Sequence, residues 1–286
     1  VEELKMELRF WGVRGSIAAP GPDTIKVGGN TTCVSIEMDG HIFVFDAGTG
    51  IRQLGRYLED EDRARWRGSI FLTHYHWDHI QGLPFFAPAF RGENRFRIYG
   101  EQKKGSPIEE ILSDQMQEPY FPVSIEALEG LVDFAELGVG TQLEILPDTT
   151  LRTVRLDHPN DALGYRLDSP HGSLCFITDQ EHPVEGLNEN IIDFVQGATV
   201  LIHDAQYTSE EKRGPKAGWG HSSWEEAALT ARKAGVGCLY LAHHDPERTD
   251  EDLIVILGKA RKTFENTELA TESSIYDFSK KIPLNI

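Results

Sequence analysis

A chain of 286 residues with 40% hydrophobic content has enough apolar material for one large layered domain. Its 28 basic and 46 acidic side chains give a formal charge of −18. This argues against a general nucleic-acid surface, which needs clustered Lys and Arg to displace counterions, though it leaves room for a local basic patch, and no stretch approaches the ~20 apolar residues of a membrane span.

Three widely spaced cysteines, Cys33, Cys175 and Cys238, sit in or beside apolar runs and read as buried reduced thiols. The first ten residues alternate charge and apolarity without a signal-like apolar core, so a soluble cytoplasmic protein is the expectation. Residues 4–11 read as a strand, and the Gly- and Pro-rich stretch 12–22 as a loop. A glycine turn leads into a second strand ending at Met38. Asp39-Gly40 is a two-residue hairpin signal before the strand 41–45. That strand ends at Asp46-Ala-Gly-Thr-Gly50, a carboxylate held where strand meets loop. Residues 51–58 read as a helix and 69–72 as a buried strand.

The run Thr73-His-Tyr-His-Trp-Asp-His79 follows immediately. Alternation in an extended chain lets His74 and His76 face one point. The apolar stretch 80–86 reads as the start of a helix, in which Asp78 and His79 are neighbours that can address a second point. Neutral imidazole and carboxylate hold zinc and related divalent ions at about 2.0–2.2 Å. The spacing therefore predicts two ions side by side.

Residues 96–100 form another strand candidate. Residues 101–130 break the rhythm, with a helix over 108–116 and the proline-bounded Glu118-Pro-Tyr-Phe-Pro122. This reads as an insertion over the site, lid-like, within a single domain covering residues 1–286. From Leu131 strands return, at 141–146, 150–156, 163–167, 173–178 and 199–202. Helices are predicted at 191–194, at 222–234 with Ser222 or Ser223 as N-cap, and at 250–264, with a strand at 238–242. Many strands, with each half closing in helices, suit an α/β architecture of two sheets packed face to face with helices outside.

Polar residues recur just past these strands. His158, Asp179 and the pair His243-His244 each follow an apolar run. If one edge collects them, His158 joins the first ion, His243 the second, and Asp179 bridges the two. Adjacent residues of an extended chain point to opposite sides, so only one of His243 and His244 can ligate; counting from the strand favours His243.

With these residues in hand, the chain resembles the metallo-β-lactamase superfamily from about Phe10 to Asp245. Its second half is similar to the phosphodiesterase branch, which includes tRNase Z and the phosphoribosyl cyclic phosphodiesterases. The residues responsible are Gly28-Gly-Asn-Thr-Thr-Cys33, His158 with Ala162-Leu-Gly-Tyr-Arg166, Ile177-Thr-Asp179, Leu201-Ile-His-Asp-Ala-Gln-Tyr207 and Gly220-His-Ser-Ser223. The resemblance implies a four-layer αββα sandwich, two divalent ions and hydrolysis of phosphodiesters. Zinc is the first choice of metal, with manganese or iron as alternatives. Asp78 would be both ligand and proton acceptor, His221 would stabilise the phosphorane or protonate the leaving alkoxide, and Asp204 would orient His221. Asp46 would accept from a ligand imidazole. Asn30 and Thr31 could donate to a substrate phosphate, although turn chemistry explains them equally. tRNase Z carries glutamate where this chain has Asp204, and its basic glycine-rich arm has no counterpart here. The expected substrate is thus a small, cyclic or open, nucleotide or ribose phosphodiester rather than a nucleic-acid polymer. A homodimer is a family-level expectation. The alternatives are a carbon-ester, thioester or lactam hydrolase on the same fold, and a non-catalytic metal-binding regulatory module.

Overall fold

The structure is a computed structural model that describes residues 6–61 and 65–285; the first residues of the strand expected at 4–11 lie outside them. Its first half contains β1 (Glu7–Gly12), β2 (Cys33–Met38), β3 (His41–Phe45), α1 (Ile51–Asp60), β4 (Arg67–Phe71), α2 (Trp77–Ile80), β5 (Arg95–Gly100), α3 (Ile108–Asp114) and β6 (Leu131–Glu136). The second contains β7 (Gln142–Leu146), β8 (Thr149–Leu156), β9 (Ala162–Ser169), β10 (Gly172–Ile177), α4 (Glu189–Val195), β11 (Val200–Asp204), α5 (Ser209–Arg213), α6 (Trp224–Ala234) and β12 (Cys238–Ala242). It closes with α7 (Asp250–Thr263), β13 (Thr267–Leu269), β14 (Ser274–Asp277) and β15 (Ile282–Asn285). The sequence reading did not delimit β6 and missed α5 and the last three strands. β14 pairs with β1, so the final hairpin extends the edge of the first sheet.

Two mixed sheets result, ordered β15-β14-β1-β2-β3-β4-β5-β6 and β13-β12-β11-β10-β9-β8-β7. In each, an antiparallel meander gives way to parallel strands, β3 to β6 in one sheet and β10 to β13 in the other. Parallel neighbours need crossovers, and α1, α4, α6 and α7 lie within them. The turn of the β2–β3 hairpin is the predicted pair, with Asp39 and Gly40 both at positive φ (53° and 74°), as a type I′ turn requires.

Strand alternation builds the layers. Phe43 and Phe45 of β3 face the other sheet, whereas Ile42 and Val44 face α1 through Ile51, Leu54 and Leu58. Between the sheets the Phe45 ring lies 5.4 Å from Phe176 and 6.0 Å from Tyr165. On the far side α6 buries Ala227, Ala228 and Ala231, small side chains that let it lie close against β11 and β12. Ser223 is its N-cap, completing a capping box with Glu226. The predicted αββα order is what forms.

One local expectation changes. The helix expected over 80–86 is instead the single turn Trp77–Ile80 followed by 3-10 turns at Leu83–Phe85 and Ala87–Phe90. Pro84 and Pro88 prevent a continuous helix, and a side chain at Gly82 would meet the Gly48 carbonyl oxygen at 2.0 Å. The stretch 101–130 forms the β5–β6 crossover. Ile108, Leu112, Met116, Ile125 and Leu128 are buried in the outer core, while Tyr120 stands exposed. The three cysteines are free and buried. No described helix is long and apolar enough to cross a membrane.

Phe45→Ala should leave a void between the sheets and cost about 3–5 kcal/mol, as large aromatic truncations in cores do. Urea unfolding checks this. A loss below about 1 kcal/mol, which well-tolerated volume-conserving swaps show, would mean the sheets are not closely packed at this ring.

Candidate metal centre

The predicted residues leave strand ends along one edge of the sandwich. Asp46 follows β3, His74 lies beyond β4, His158 follows β8, Asp179 follows β10, Asp204 ends β11 and His243 follows β12. Asp46, Asp179 and His243 take the left-handed conformation, at φ 60°, 57° and 56°. Non-glycine residues visit this region at a cost, and here it turns three candidate side chains out of their strand direction. His76 occupies the N-cap position of α2, in extended conformation, and Asp78 and His79 lie in its first turn.

The side chains form two groups. His74, His76 and His158 bring ring nitrogens within 4.8 Å of one another, as do Asp78, His79 and His243 in donor atoms. In the first group His158 Nε2 is 3.1 Å from His76 Nδ1. In the second, His243 Nε2 stands 3.3 Å from His79 Nε2 and 3.4 Å from Asp78 Oδ2. Asp179 lies between. Its Oδ1 is 3.6 Å from His158 Nε2 and 3.9 Å from His74 Nε2, whereas its Oδ2 is 3.2 Å from His79 Nε2 and 3.3 Å from His243 Nε2. One carboxylate thus presents one oxygen to each group.

The donor set fits cations. Ligands of a tetrahedral ion at about 2.0–2.1 Å stand about 3.4 Å from each other, close to these separations. His74 Nε2 is buried with no hydrogen-bond partner, although burial of an unpaired polar atom is costly. The protonation pattern points the same way. Burial, and then the neighbouring His79 imidazole, pushes His74 well below the usual histidine range. Burial also lowers His76 and His158. Burial opposes charge on His79, yet Asp179, Asp78 and Asp46 push it well above its ordinary value. Asp179 resists protonation despite its burial because the His243 and His79 imidazoles hold it well below the carboxylate range. Such carboxylates demand positive charge at the centre, and metal ions supply it while leaving the imidazoles neutral.

The remote ring nitrogens are held in place. Asp46 Oδ2 accepts from His79 Nδ1 at 2.7 Å, while its Oδ1 accepts from the Thr73 backbone N–H and the Thr73 hydroxyl reaches both oxygens. His158 Nδ1 donates to the Gly220 carbonyl at 2.8 Å, and His243 Nδ1 lies 3.1 Å from Gln206 Oε1. Asp204 Oδ2 accepts from His221 Nδ1 at 2.8 Å. The His221 ring stacks 5.0 Å from that of His243, with an interplanar angle of 23°. Above the cluster lies a cleft of about 420 Å³ lined by Ser16, Tyr75, His76, Trp77, Asp78, Asp179 and His221.

His243 and His244 separate as the strand argument anticipated. His244 turns away and donates from Nε2 to the Ala270 carbonyl at 3.0 Å, and burial followed by the Arg14 charge pushes it down to about 3. Asn30 and Thr31 are a correction, because neither lines the cleft. Glu272 accepts from the Asn30 backbone and side-chain amides, and Thr31 is fully buried with its hydroxyl accepting from the Thr49 N–H. The glycine turn there serves the loop. Three supporting residues escaped the sequence reading. Thr73 precedes the histidines, Gln206 stands inside the recognised 201–207 segment, and Ser16 donates its backbone N–H to Asp78 Oδ2 at 2.7 Å. Nothing in the sequence marks that last contact, which spans 62 residues.

Comparison with known proteins shows the family and the fold. The family described as "Beta-lactamase superfamily domain" matches residues 41–244. Ribonuclease Z of Oceanobacillus iheyensis is 25% identical, over 95% of this chain and all of that protein. Among solved structures, the metallo-beta-lactamase fold protein YhfI from Bacillus subtilis superposes with a TM-score of 0.71 at 18% identity, covering 96% of this chain and 100% of YhfI. A diphosphatase from the PhnP family does so with a TM-score of 0.68 at 17% identity, covering 99% of each chain. At these identities the structural likenesses show the fold.

Metal stoichiometry tests the geometry. His243→Ala should bind one ion fewer than the wild type by elemental analysis, and Asp46→Asn should weaken metal binding about 10–100-fold, the usual effect of removing an orienting carboxylate. His244→Ala should keep the wild-type stoichiometry. The opposite result for the two histidines would reassign the last ligand.

Proposed function

The chain belongs to the β-lactamase superfamily, and from that premise we propose that it is a two-metal hydrolase cleaving a small phosphodiester, cyclic or open, of a nucleotide or ribose phosphate. The observation that carries this reading is the Asp179 carboxylate, with one oxygen toward each trio of candidate ligands. His74, His76 and His158 would hold one ion and Asp78, His79 and His243 the other, with Asp179 shared. Divalent ions bound there would supply Lewis acidity and a nucleophile at neutral pH. Zinc suits the all-imidazole first group, and manganese or iron are the alternatives to test.

The protein's own groups divide the remaining work. Burial works against ionisation of Asp78, but His79 and His243 hold it well below the carboxylate range. Asp78, steadied by the Ser16 N–H, is therefore a ligand first and a proton acceptor second. Asp204 fixes His221 through Nδ1, which leaves Nε2 as the nitrogen able to meet substrate from the cleft wall. There it would stabilise charge on the phosphoryl group or hand a proton to the leaving alkoxide. Attack of water at a carbonyl does not obviously need this second acid, and its presence favours phosphorus over a carbon ester, thioester or lactam. The complete ligand set favours an enzyme over a metal-binding module. The name of the ribonuclease Z relative supports P–O cleavage as the reaction type. The −18 charge favours a single phosphodiester over an RNA polymer.

Hydrolysis of bis-(p-nitrophenyl) phosphate is expected with at least one of zinc, manganese or iron, and no comparable turnover of a lactam or thioester. No phosphodiester turnover with any of the three would end this reading. His221→Ala should retain both ions and lose about 10²–10⁴ in kcat, the range for a positioned proton donor. Loss of an ion in that variant would make His221 a ligand instead.

A further inference from the structure

Beside the catalytic cleft runs a groove of about 700 Å³, within the size range of small-molecule sites. Tyr75 and Trp77 line both spaces. Trp77 sits in the metal motif between His76 and Asp78 yet is 81% exposed, and Tyr120, on the 101–130 crossover, is equally exposed at 81%. Phe85 and Phe121 extend the wall, their rings edge to face at 5.6 Å. Tyr75 is fixed by its hydroxyl, which donates to the Glu101 carbonyl at 2.7 Å. Large exposed aromatics gathered on one concave surface mark recognition rather than folding.

Polar side chains, Gln81 and Gln115, also line this groove. Alkyl chains would leave such groups unused, and a sugar stacks only through its C–H face. A planar heterocycle offers a π-face for Trp77 or Tyr120 and hydrogen-bonding edges for side-chain amides.

We infer that this groove is a nucleobase subsite, which stacks the base of a mononucleotide-sized phosphodiester between the metal motif and the crossover. The inference rests on the phosphodiesterase reading and narrows it, since the same metals with no base to hold would serve ribose phosphates equally well.

The test uses metal-loaded full-length protein and two probes, adenosine 5′-monophosphate and ribose 5-phosphate, measured by titration calorimetry. Bis-(p-nitrophenyl) phosphate turnover is followed on the same preparation. The wild type should bind the nucleotide about 5–150-fold more tightly, the range supplied by one base–aromatic stack. Trp77→Ala should bring that ratio close to one. Because Trp77 adjoins two candidate ligands, Tyr120→Ala provides an independent variant remote from them, and it should reduce the ratio several-fold at unchanged metal content. Equal affinity of the wild type for both probes, or an undiminished ratio in both variants, overturns the subsite while turnover leaves the phosphodiesterase reading standing. Absent turnover removes that reading and the subsite with it.

Discussion

The structure depends on one electrostatic constraint. Asp46, Asp78, Asp179 and Asp204 are gathered with six imidazoles in a largely buried space. Burial alone would neutralise carboxylates, yet Asp78 and Asp179 are held ionised by the imidazoles around them. The imidazoles in turn face contrary demands. His79 is driven toward protonation by three carboxylates, while His74, a ring 4.3 Å away, is driven from it. A proton on His79 with His74 neutral answers both demands, but it leaves His74 Nε2 buried without a hydrogen-bond partner. Cations held between the rings would give each lone pair a partner and each carboxylate a counter-charge.

The architecture follows from delivering those side chains to one place. β3 and β4 of the first sheet, and β8, β10, β11 and β12 of the second, run so that their C-terminal ends share an edge. Ligand sites in α/β sheets favour this edge. A strand end alone leaves its side chain pointing up or down the sheet. The left-handed turns at Asp46, Asp179 and His243 redirect it, at a local cost of about 1–3 kcal/mol each that the packed sandwich sustains. The fully buried Phe45 ring directly precedes one such turn, so core packing and ligand geometry are joined at the same step of the chain.

This explains what the sequence disclosed. The His74 to His79 spacing is short enough that local geometry dictates the outcome, and the strands read correctly because their alternation faces a core on both sides. The preference for His243 over His244 was legible only as a parity argument, since the left-handed φ that turns His243 toward the cluster has no signature in residue type. Asn30 and Thr31 misled because a glycine turn followed by polar residues looks the same whether it greets a phosphate or a neighbouring loop. Their partners, Glu272 and Thr49, lie 242 and 18 residues away. Ser16 and Gln206 were hidden for the same reason. The strands β13 to β15 are short and borrow their order from neighbours already in place, which leaves little periodicity to read.

Charge bears on the choice between a polymer and a single phosphodiester. Each phosphate of a nucleic acid laid against this surface meets a protein carrying −18, and repulsion accumulates with every contact that lacks a compensating Lys or Arg. Screening confines such effects to about 8 Å at physiological salt, so distant acidic residues matter little to a ligand that touches only the centre. At the mouth, Lys103 is already paired with Glu101, which reduces what it can offer a second phosphate. A ligand with one phosphodiester needs neutralisation at one point, where the metals would provide it. The rest of its binding energy must then come from uncharged contacts, and an aromatic wall adjoining the centre is the kind of surface that supplies them.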